Sequence, residues 1–573
     1  MPKRSGSFPP FHFHPNSLCR LVTFFWQNLG GLSIAFYSIF PILIRMSDEK
    51  FIQVSGPLFE AVQIAQIFPD GKTFVDSIPR SPPDEILKAF ETQKKSGDFD
   101  LKRFVEEHFD LPTQEEEQVP QASTMEDYIK KMWPILLKEM RAPSPYIPKQ
   151  IQELGICQSR RPRFSSLEAV PYRGDRGDAE GVKDGDAGVG KNQFLNLFGY
   201  SSLISLPKPH IVPGGRFREC FYWDSYFTAL GLEDMTLVKN MVENFAFLIE
   251  QFGFIPNGNR VYFASRSQPP YFSFLLTLLY DAGEKEFALK YIPHLEKEYA
   301  YWIETCKGDL GLNRYFDPLN IPRPEAYLRE TTLAKEGIPP EFFQHLRAAC
   351  ASGWDFSSRW IGDQKSFQTI CTLDILPIDL NCLLYHLEET LARFAKDPAP
   401  YAAAAAKRKK AIQTLFWKED FFFDYNFKKK EPSPTLSLAG VTPLFVKAAT
   451  PEQAEACVKR LYIDFLKDGG FVTTLTESGH QWDMPNGWAP LQWITIQGLL
   501  NYGYTDLAME GARRWLALSE KIFKETGTLL EKYNVRDCSL DIARGEYALQ
   551  QGFGWTNGVN CALLKRLPRL EKR

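Results

Sequence analysis

The sequence predicts an all-α fold, and three observations carry the prediction. From residue 213 onward, apolar side chains recur three and four apart in one run after another. Few stretches alternate with the two-residue period of a strand. The connections between periodic runs are rich in Gly and Pro, so helices joined by loops are expected, with no strand partners to pack on.

Taken in order, residues 1–45 read as an N-terminal extension. Within it, 21–44 (LVTFFWQNLGGLSIAFYSIFPILI) is mostly apolar and follows Lys3, Arg4 and Arg20. It has about the length of a membrane span, but Gln27, Asn28, two glycines and Pro41 interrupt it and no small-x-small cleavage site follows. A functional start near Met46 is the reading adopted, and an anchor or export signal the alternative. Residues 46–140 read as an N-terminal helical part. It holds a short helix within 55–103 followed by irregular chain, then a helix over 124–138. There Thr124 with Asp127 resembles a capping box, and Tyr128, Ile129, Met132 and Leu136 line one face.

Residues 141–193, rich in Pro, Gly, Arg and Asp, read as a disordered insertion. Inside it, 185–192 (GDAGVGKN) matches a phosphate-binding loop except at Asn192, where Ser or Thr is needed, and no strand pattern precedes it; a nucleotide site is not expected. The two RGD triplets at 173–175 and 176–178 carry no information in such a tract. Residues 194–573 form the main helical domain. Leu237, Val238, Met241, Val242, Phe245, Leu248 and Ile249 define one helix that stops before Gly253. Further helices are predicted over 272–280, 284–303, 379–395, 402–417, 451–466, 490–502, 506–526 and 559–567.

Composition narrows the function. The 44% hydrophobic content suits a globular core, and a net charge of -3 gives no electrostatic case for nucleic acid or an anionic membrane surface. Ten scattered cysteines show no C-x-x-C pair and no zinc spacing. They read as buried thiols and point to a reducing, cytoplasmic compartment, with export or membrane anchoring through 21–44 as the alternative.

The chemistry lies in the loops. Residues 211–228 (IVPGGRFRECFYWDSYFT) bring Arg216, Arg218, Glu219 and Asp224 together with Phe217, Phe221, Tyr222, Trp223, Tyr226 and Phe227. Aromatic faces cover the apolar side of a sugar ring, and charged planar groups hold its hydroxyls. Similar mixtures recur at 257–270 (NGNRVYFASRSQPP), 313–327 (NRYFDPLNIPRPEAY), 352–360 (SGWDFSSRW), 481–490 (QWDMPNGWAP), 531–535 (EKYNV) and 546–555 (EYALQQGFGW). Carboxylates, amides and arginines with almost no histidine indicate acid/base chemistry on a neutral, hydroxyl-rich substrate. Glycoside hydrolysis needs one protonated carboxyl and one ionised one. Asp355, between Trp354 and Phe356, is the better acid, and Glu531, beside Lys532 and Tyr533, the better base. Ordinary readings stand beside these: Asp224 and Asp483 as helix caps, Glu546 on the surface, Arg216, Arg260, Arg266 and Arg323 in structural ion pairs, and His345, His386 and His480 as non-catalytic.

The segments 213–226 (PGGRFRECFYWDSY) and 481–490 (QWDMPNGWAP) resemble the two signature patterns of the trehalases of glycoside hydrolase family 37. The resemblance extends over SRSQPP, PRPEAY, SGWDFSSRW, EKY and GFGWTNGV, and covers about residues 207–559. It implies an (α/α)6 toroid that hydrolyses the α,α-1,1 bond of trehalose to two glucoses with inversion, with no cofactor or metal. It implies Asp355 as general acid, Glu531 as general base, and Arg216, Arg266 and Arg323 as pocket arginines. Phe217, Trp223, Asp224, Asn257, Gln268, Glu325, Gly353 and Glu546 match substrate-contacting positions, and Trp482 or Trp488 adds an aromatic wall. The carboxyls of Asp355 and Glu531 are then expected about 6.5–9.5 Å apart.

The sequence departs from the family at Phe221 (usually Tyr), Phe316 (often Trp), Asn534 (usually Asp) and 541–545 (DIARG), where the family has a glycine-rich lid segment. Ile542, Ala543 and Arg544 are stiffer than glycine there. The protein is taken as a monomer that binds trehalose and no nucleic acid, with membrane contact only through 21–44. Two alternatives stay open: another (α/α)6 glycosidase, and a catalytically impaired trehalose-binding or sensing protein.

Overall fold

The computed structural model describes residues 51–112, 119–139, 200–539 and 547–570. The apolar stretch 21–44, the insertion 141–193 with its phosphate-loop match, and the segment 541–545 lie outside the described residues.

Helices α1 (Pro57–Ala65) and α2 (Met125–Leu136) precede the main body. There follow α3 (Tyr222–Ala229), α4 (Met235–Phe252), α5 (Phe272–Asp281), α6 (Ile292–Glu304), α7 (Pro340–Ala351), α8 (Ile378–Phe394), α9 (Ala399–Thr414), α10 (Thr442–Phe445), α11 (Pro451–Arg460), α12 (Ala489–Asn501), α13 (Thr505–Thr526) and α14 (Gly554–Leu570). Among them α3 packs on α5, α5 on α8, α8 on α10, α10 on α12, α12 on α14, and α14 returns to α3. These six close an inner ring. Outside it, α4 packs on α5, α6 and α9 on α8, α13 on α12 and α14, and α2 on α14. On α11, Gln453 Nε2 donates to the Gln413 carbonyl of α9 at 2.8 Å. The arrangement is an (α/α)6 toroid, with α7 inserted between its second and third pairs.

The residues explain which helix goes where. Every side chain of α3 is buried, as are nearly all of α12, so neither has a face for water. By contrast, α13 buries one stripe (Ala508, Ala512, Trp515, Leu516, Ser519, Phe523) and exposes Arg514–Glu510 and Lys524–Glu520 pairs four apart. Glycine closes the ring. A Cβ on Gly558 of α14 would stand 2.2 Å from the Phe227 carbonyl oxygen of α3, and one on Gly231 would stand 2.6 Å from the Gly558 Cα. No larger residue lets these backbones meet.

The predicted helices form with shifted ends. Gly253 caps α4 in the left-handed region at φ 81°. The span 284–303 is split into Lys285–Lys290 and α6, because Pro293 sits in the first turn of the second helix. Thr124 caps α2 by accepting from Asp127 N at 3.2 Å, but the Asp127 carboxylate pairs with Lys131 at 2.7 Å, so the cap is one-sided. The irregular chain expected after the first helix instead holds helices Pro83–Gln93 and Leu101–His108. Pro83 opens the former with Asp84 and Glu85 in its first turn, a normal start signal. Among the described residues the strands are two or three residues long. The pair that matters here is β1 (Asn486–Trp488) with β2 (Lys532–Asn534), antiparallel with Trp488 opposite Lys532.

Candidate active site

A cavity of about 390 Å³ opens at the N-terminal ends of the inner helices, lined by Trp223 and Asp224 of α3, Gln268 just before α5, and Trp555 of α14. That volume suits a small molecule, for which sites run about 300–1,000 Å³. Asp355 and Glu531, far apart in sequence, both line it. So do Arg216, Phe217, Trp223, Asp224, Asn257, Arg266, Gln268, Arg323, Glu325 and Gly353. Glu546 lies outside the described residues.

The first signature segment enters through its Pro-Gly-Gly turn. Gly214 and Gly215 have φ of 109° and 56°, and the turn closes between Gly214 and Phe217. A Cβ on Gly215 would stand 2.3 Å from Gln550 Oε1, the atom that accepts from Arg216 N at 2.8 Å. Phe217 then meets Tyr547 edge-on at 5.1 Å, and the Arg216 guanidinium lies 5.5 Å over the Tyr547 ring. Trp223 N donates to Gln268 Oε1 at 3.2 Å, and Asn257 Nδ2 to the Cys350 carbonyl at 3.3 Å. Asp224 is not a helix cap. It is the third residue of α3, and burial drives its carboxyl well above the usual range, with the charges of Glu531 and Asp355 adding to the rise.

The acid candidate follows α7. Gly353 has φ 76°, and a Cβ there would stand 2.9 Å from the Trp223 ring. Trp354 and Phe356, both buried, flank Asp355. Trp354 stacks on Trp482 at 5.4 Å, and Trp482 on Trp488 at 3.8 Å, so Trp482 forms the wall and Trp488 backs it. Asp483 is structural: fully buried, it accepts from Ser357 Oγ at 2.8 Å, Ser358 N at 2.7 Å and Thr474 Oγ1 at 2.9 Å. It thereby ties the chain after Asp355 to the second signature. Arg359 completes the brace, paired with Asp379 at 2.7 Å and Asp424 at 2.6 Å.

The base candidate stands immediately before β2. Glu531 accepts from Tyr547 Oη at 2.7 Å through Oε1, and Lys532 Nζ lies 3.3 Å from Oε2. Its backbone carbonyl takes Trp555 Nε1 at 2.9 Å. Asn534, at the departure from Asp, turns the chain by accepting from Arg536 N at 3.1 Å and Asp537 N at 2.9 Å. An Asp carboxylate oxygen accepts in the same way.

The arginines divide by role. Arg266 sits 3.3 Å from Asp317 and 3.6 Å from Glu325, and Arg323 is 2.6 Å from Glu330. The buried Nε atoms of Arg216 and Arg266 and one Glu325 oxygen have no hydrogen-bond partner among the described residues. Arg260 is structural: it joins Lys72 in pairing with Glu219, each at 2.8 Å. Burial alone would raise Glu219, but these two cations hold its carboxyl down at about 2.

Two parts of the wall escape the sequence reading. Tyr547 sits beside Glu546 in the EY pair, which was the available signal. The other is Gln66, Phe68, Asp70 and Lys72, from the turn after α1. Asp70 caps that turn by accepting from Lys72 N and Thr73 N at 2.8 Å. Nothing local marks the turn as part of a site, since it reaches the cavity only through tertiary contacts.

Comparison with known proteins bears on all of this. A family model described as trehalase matches residues 66–568. Periplasmic trehalases of Citrobacter koseri and Salmonella newport are each 39% identical over 547 residues, covering 90% of this chain and 86% of theirs. Among solved structures, neutral trehalase Nth1 from Saccharomyces cerevisiae aligns with a TM-score of 0.54 at 29% identity, over 62% of this chain and 73% of that one. The relatives correct the cytoplasmic location expected from the thiols, because those that match over nearly the whole chain are periplasmic. The thiol argument fails for a physical reason: most of the described cysteines are buried and all are free, and packing accounts for them whatever the compartment. By family match and by identity across almost its full length, the chain belongs to the trehalase family.

Proposed function

We propose that this protein is an α,α-trehalase that hydrolyses trehalose to two glucose molecules with inversion, and that, like its periplasmic relatives, it is exported. The observation that carries the reading is the single cavity shared by Asp355 and Glu531, walled by tryptophans and arginines. In the proposed reaction Asp355 gives its proton to the glycosidic oxygen as the bond to the anomeric carbon breaks. Water attacks that carbon from the opposite face and forms the new C–O bond, and Glu531 takes the water's proton. Arg216, Arg266, Arg323, Asn257, Gln268 and Glu325 hold the hydroxyls, and Phe217, Trp223 and Trp482 cover the ring faces.

The test is incubation of the purified protein with trehalose, following the anomers by NMR before mutarotation. Inversion releases equal α- and β-glucose, whereas retention releases α-glucose alone and refutes the mechanism. Asp355→Ala and Glu531→Ala are each expected to abolish turnover while leaving trehalose binding within about threefold of wild type. Full activity in either variant overturns the assignment.

A further inference from the structure

A short buried relay runs from the backbone carbonyl of Asp355 to the carboxylate of Glu531. Gln481, fully buried, donates from Nε2 to the Asp355 carbonyl at 2.5 Å and accepts through Oε1 from Lys532 Nζ at 2.7 Å. Lys532, also fully buried, lies 3.3 Å from Glu531 Oε2, with its ammonium 4.9 Å over the Trp488 ring and 5.1 Å over the Tyr547 ring. The backbone of Gln481 is secured independently. Its carbonyl accepts from Asn486 Nδ2 at 2.9 Å and Trp488 Nε1 at 3.1 Å, and the next residue, Trp482, donates its N–H to the Phe356 carbonyl at 3.1 Å. The side-chain amide is therefore free of any duty in fixing its own segment, and serves the two loops on either side.

We propose that Gln481 is a positioning residue: its amide sets the Asp355 loop against the strand that follows Glu531, and so fixes where the acid stands relative to the base. A primary amide is required because the site needs a donor on one side and an acceptor on the other within one rigid planar group. Glutamate at this position keeps the acceptor for Lys532 and loses the donor for Asp355. Methionine loses both. The inference rests on Asp355 being the general acid.

The experiment separates the acid from the rest of the site by choice of leaving group. Trehalose needs protonation of its glycosidic oxygen; α-glucosyl fluoride releases fluoride without it and still needs the base and water. For Gln481→Glu and Gln481→Met, kcat on trehalose is expected to fall about 100-fold, as for a misplacement of about 1 Å. KM on trehalose and kcat on α-glucosyl fluoride are expected to stay within about fivefold of wild type. Equal losses on both substrates, or no loss on trehalose, overturn the inference. Gln481→Glu is nearly isosteric and carries the test if the methionine variant does not fold. If the wild-type chain releases no glucose from trehalose, the parent reading fails and this one with it; if it does and the variants behave otherwise than stated, only the positioning role fails.

Discussion

Glu298 offers a test of how the wall helix α3 is held. It lies on α6 in the outer ring, fully buried, and accepts from the Tyr222 hydroxyl at the start of α3. The same hydroxyl accepts from Phe272 N at 2.9 Å, so one contact joins α3, α5 and α6. Burial raises the Glu298 carboxyl from 4.5 to about 7. A carboxyl that is harder to ionise when folded favours the folded state in its neutral form. Its penalty is absent below the unfolded value, grows as pH rises from 4.5, and is complete above about 7. At about 1.36 kcal/mol per unit, the loss across that window is about 3 kcal/mol. Glu298→Gln carries no charge at any pH in this range. The stability difference between variant and wild type should therefore move by about 3 kcal/mol in favour of the variant between pH 4.5 and 7.5. For a chain of 573 residues, that is a relative shift in Tm of about 2–3 °C. Thermal unfolding of both proteins across this pH series is the assay, and the difference cancels every other titrating group. Parallel Tm curves would show that Glu298 is not the buried, reluctant acid described here.

Two further outcomes follow from the cavity. Tyr547→Phe removes the hydroxyl on Glu531 Oε1 and keeps the ring against Phe217; a lost hydrogen bond to a charged group, about 1.5–3 kcal/mol, should lower kcat about 10- to 150-fold, and steady-state kinetics with unchanged kcat would remove Tyr547 from the site. Gly353→Ala forces a side chain into the left-handed region and against the Trp223 ring; it should destabilise the protein by about 2–4 kcal/mol and raise KM, and a Tm equal to wild type would contradict the close approach.

How much of this was legible in the sequence depends on the range of the interaction involved. Helix α4 was legible because its apolar stripe and Gly253 are local. The ring closure was not, because α10 is four residues long and the Gly231–Gly558 seam joins chain positions with no pattern in common. Asp355 and Glu531 stood out through their neighbours in sequence, yet their common cavity is a tertiary fact. Asp224 read equally well as a cap, since a short carboxylate near a helix start has that role by default; its place three residues into α3 decides otherwise. Arg260 and Arg266 looked alike from sequence. The difference between them is Lys72 and Glu219, which turn the first into a structural ion cluster.

The arginines also bear on what the cavity binds. Arg266 and Arg323 line it, and each is paired with a fully buried carboxylate, Asp317 at 3.3 Å (an oxygen it shares with Arg347 at 3.0 Å) and Glu330 at 2.6 Å. An arginine intended for a phosphate or carboxylate ligand keeps its charge for that ligand, because the charge-assisted bidentate contact supplies the affinity. Here both guanidiniums are already engaged by carboxylates of the protein. What these two arginines offer a ligand is then directional hydrogen bonding. Donors already held in ion pairs favour an uncharged polyol over an anion, and tryptophan faces favour a pyranose ring over an open chain. A neutral disaccharide is the substrate class that satisfies both conditions.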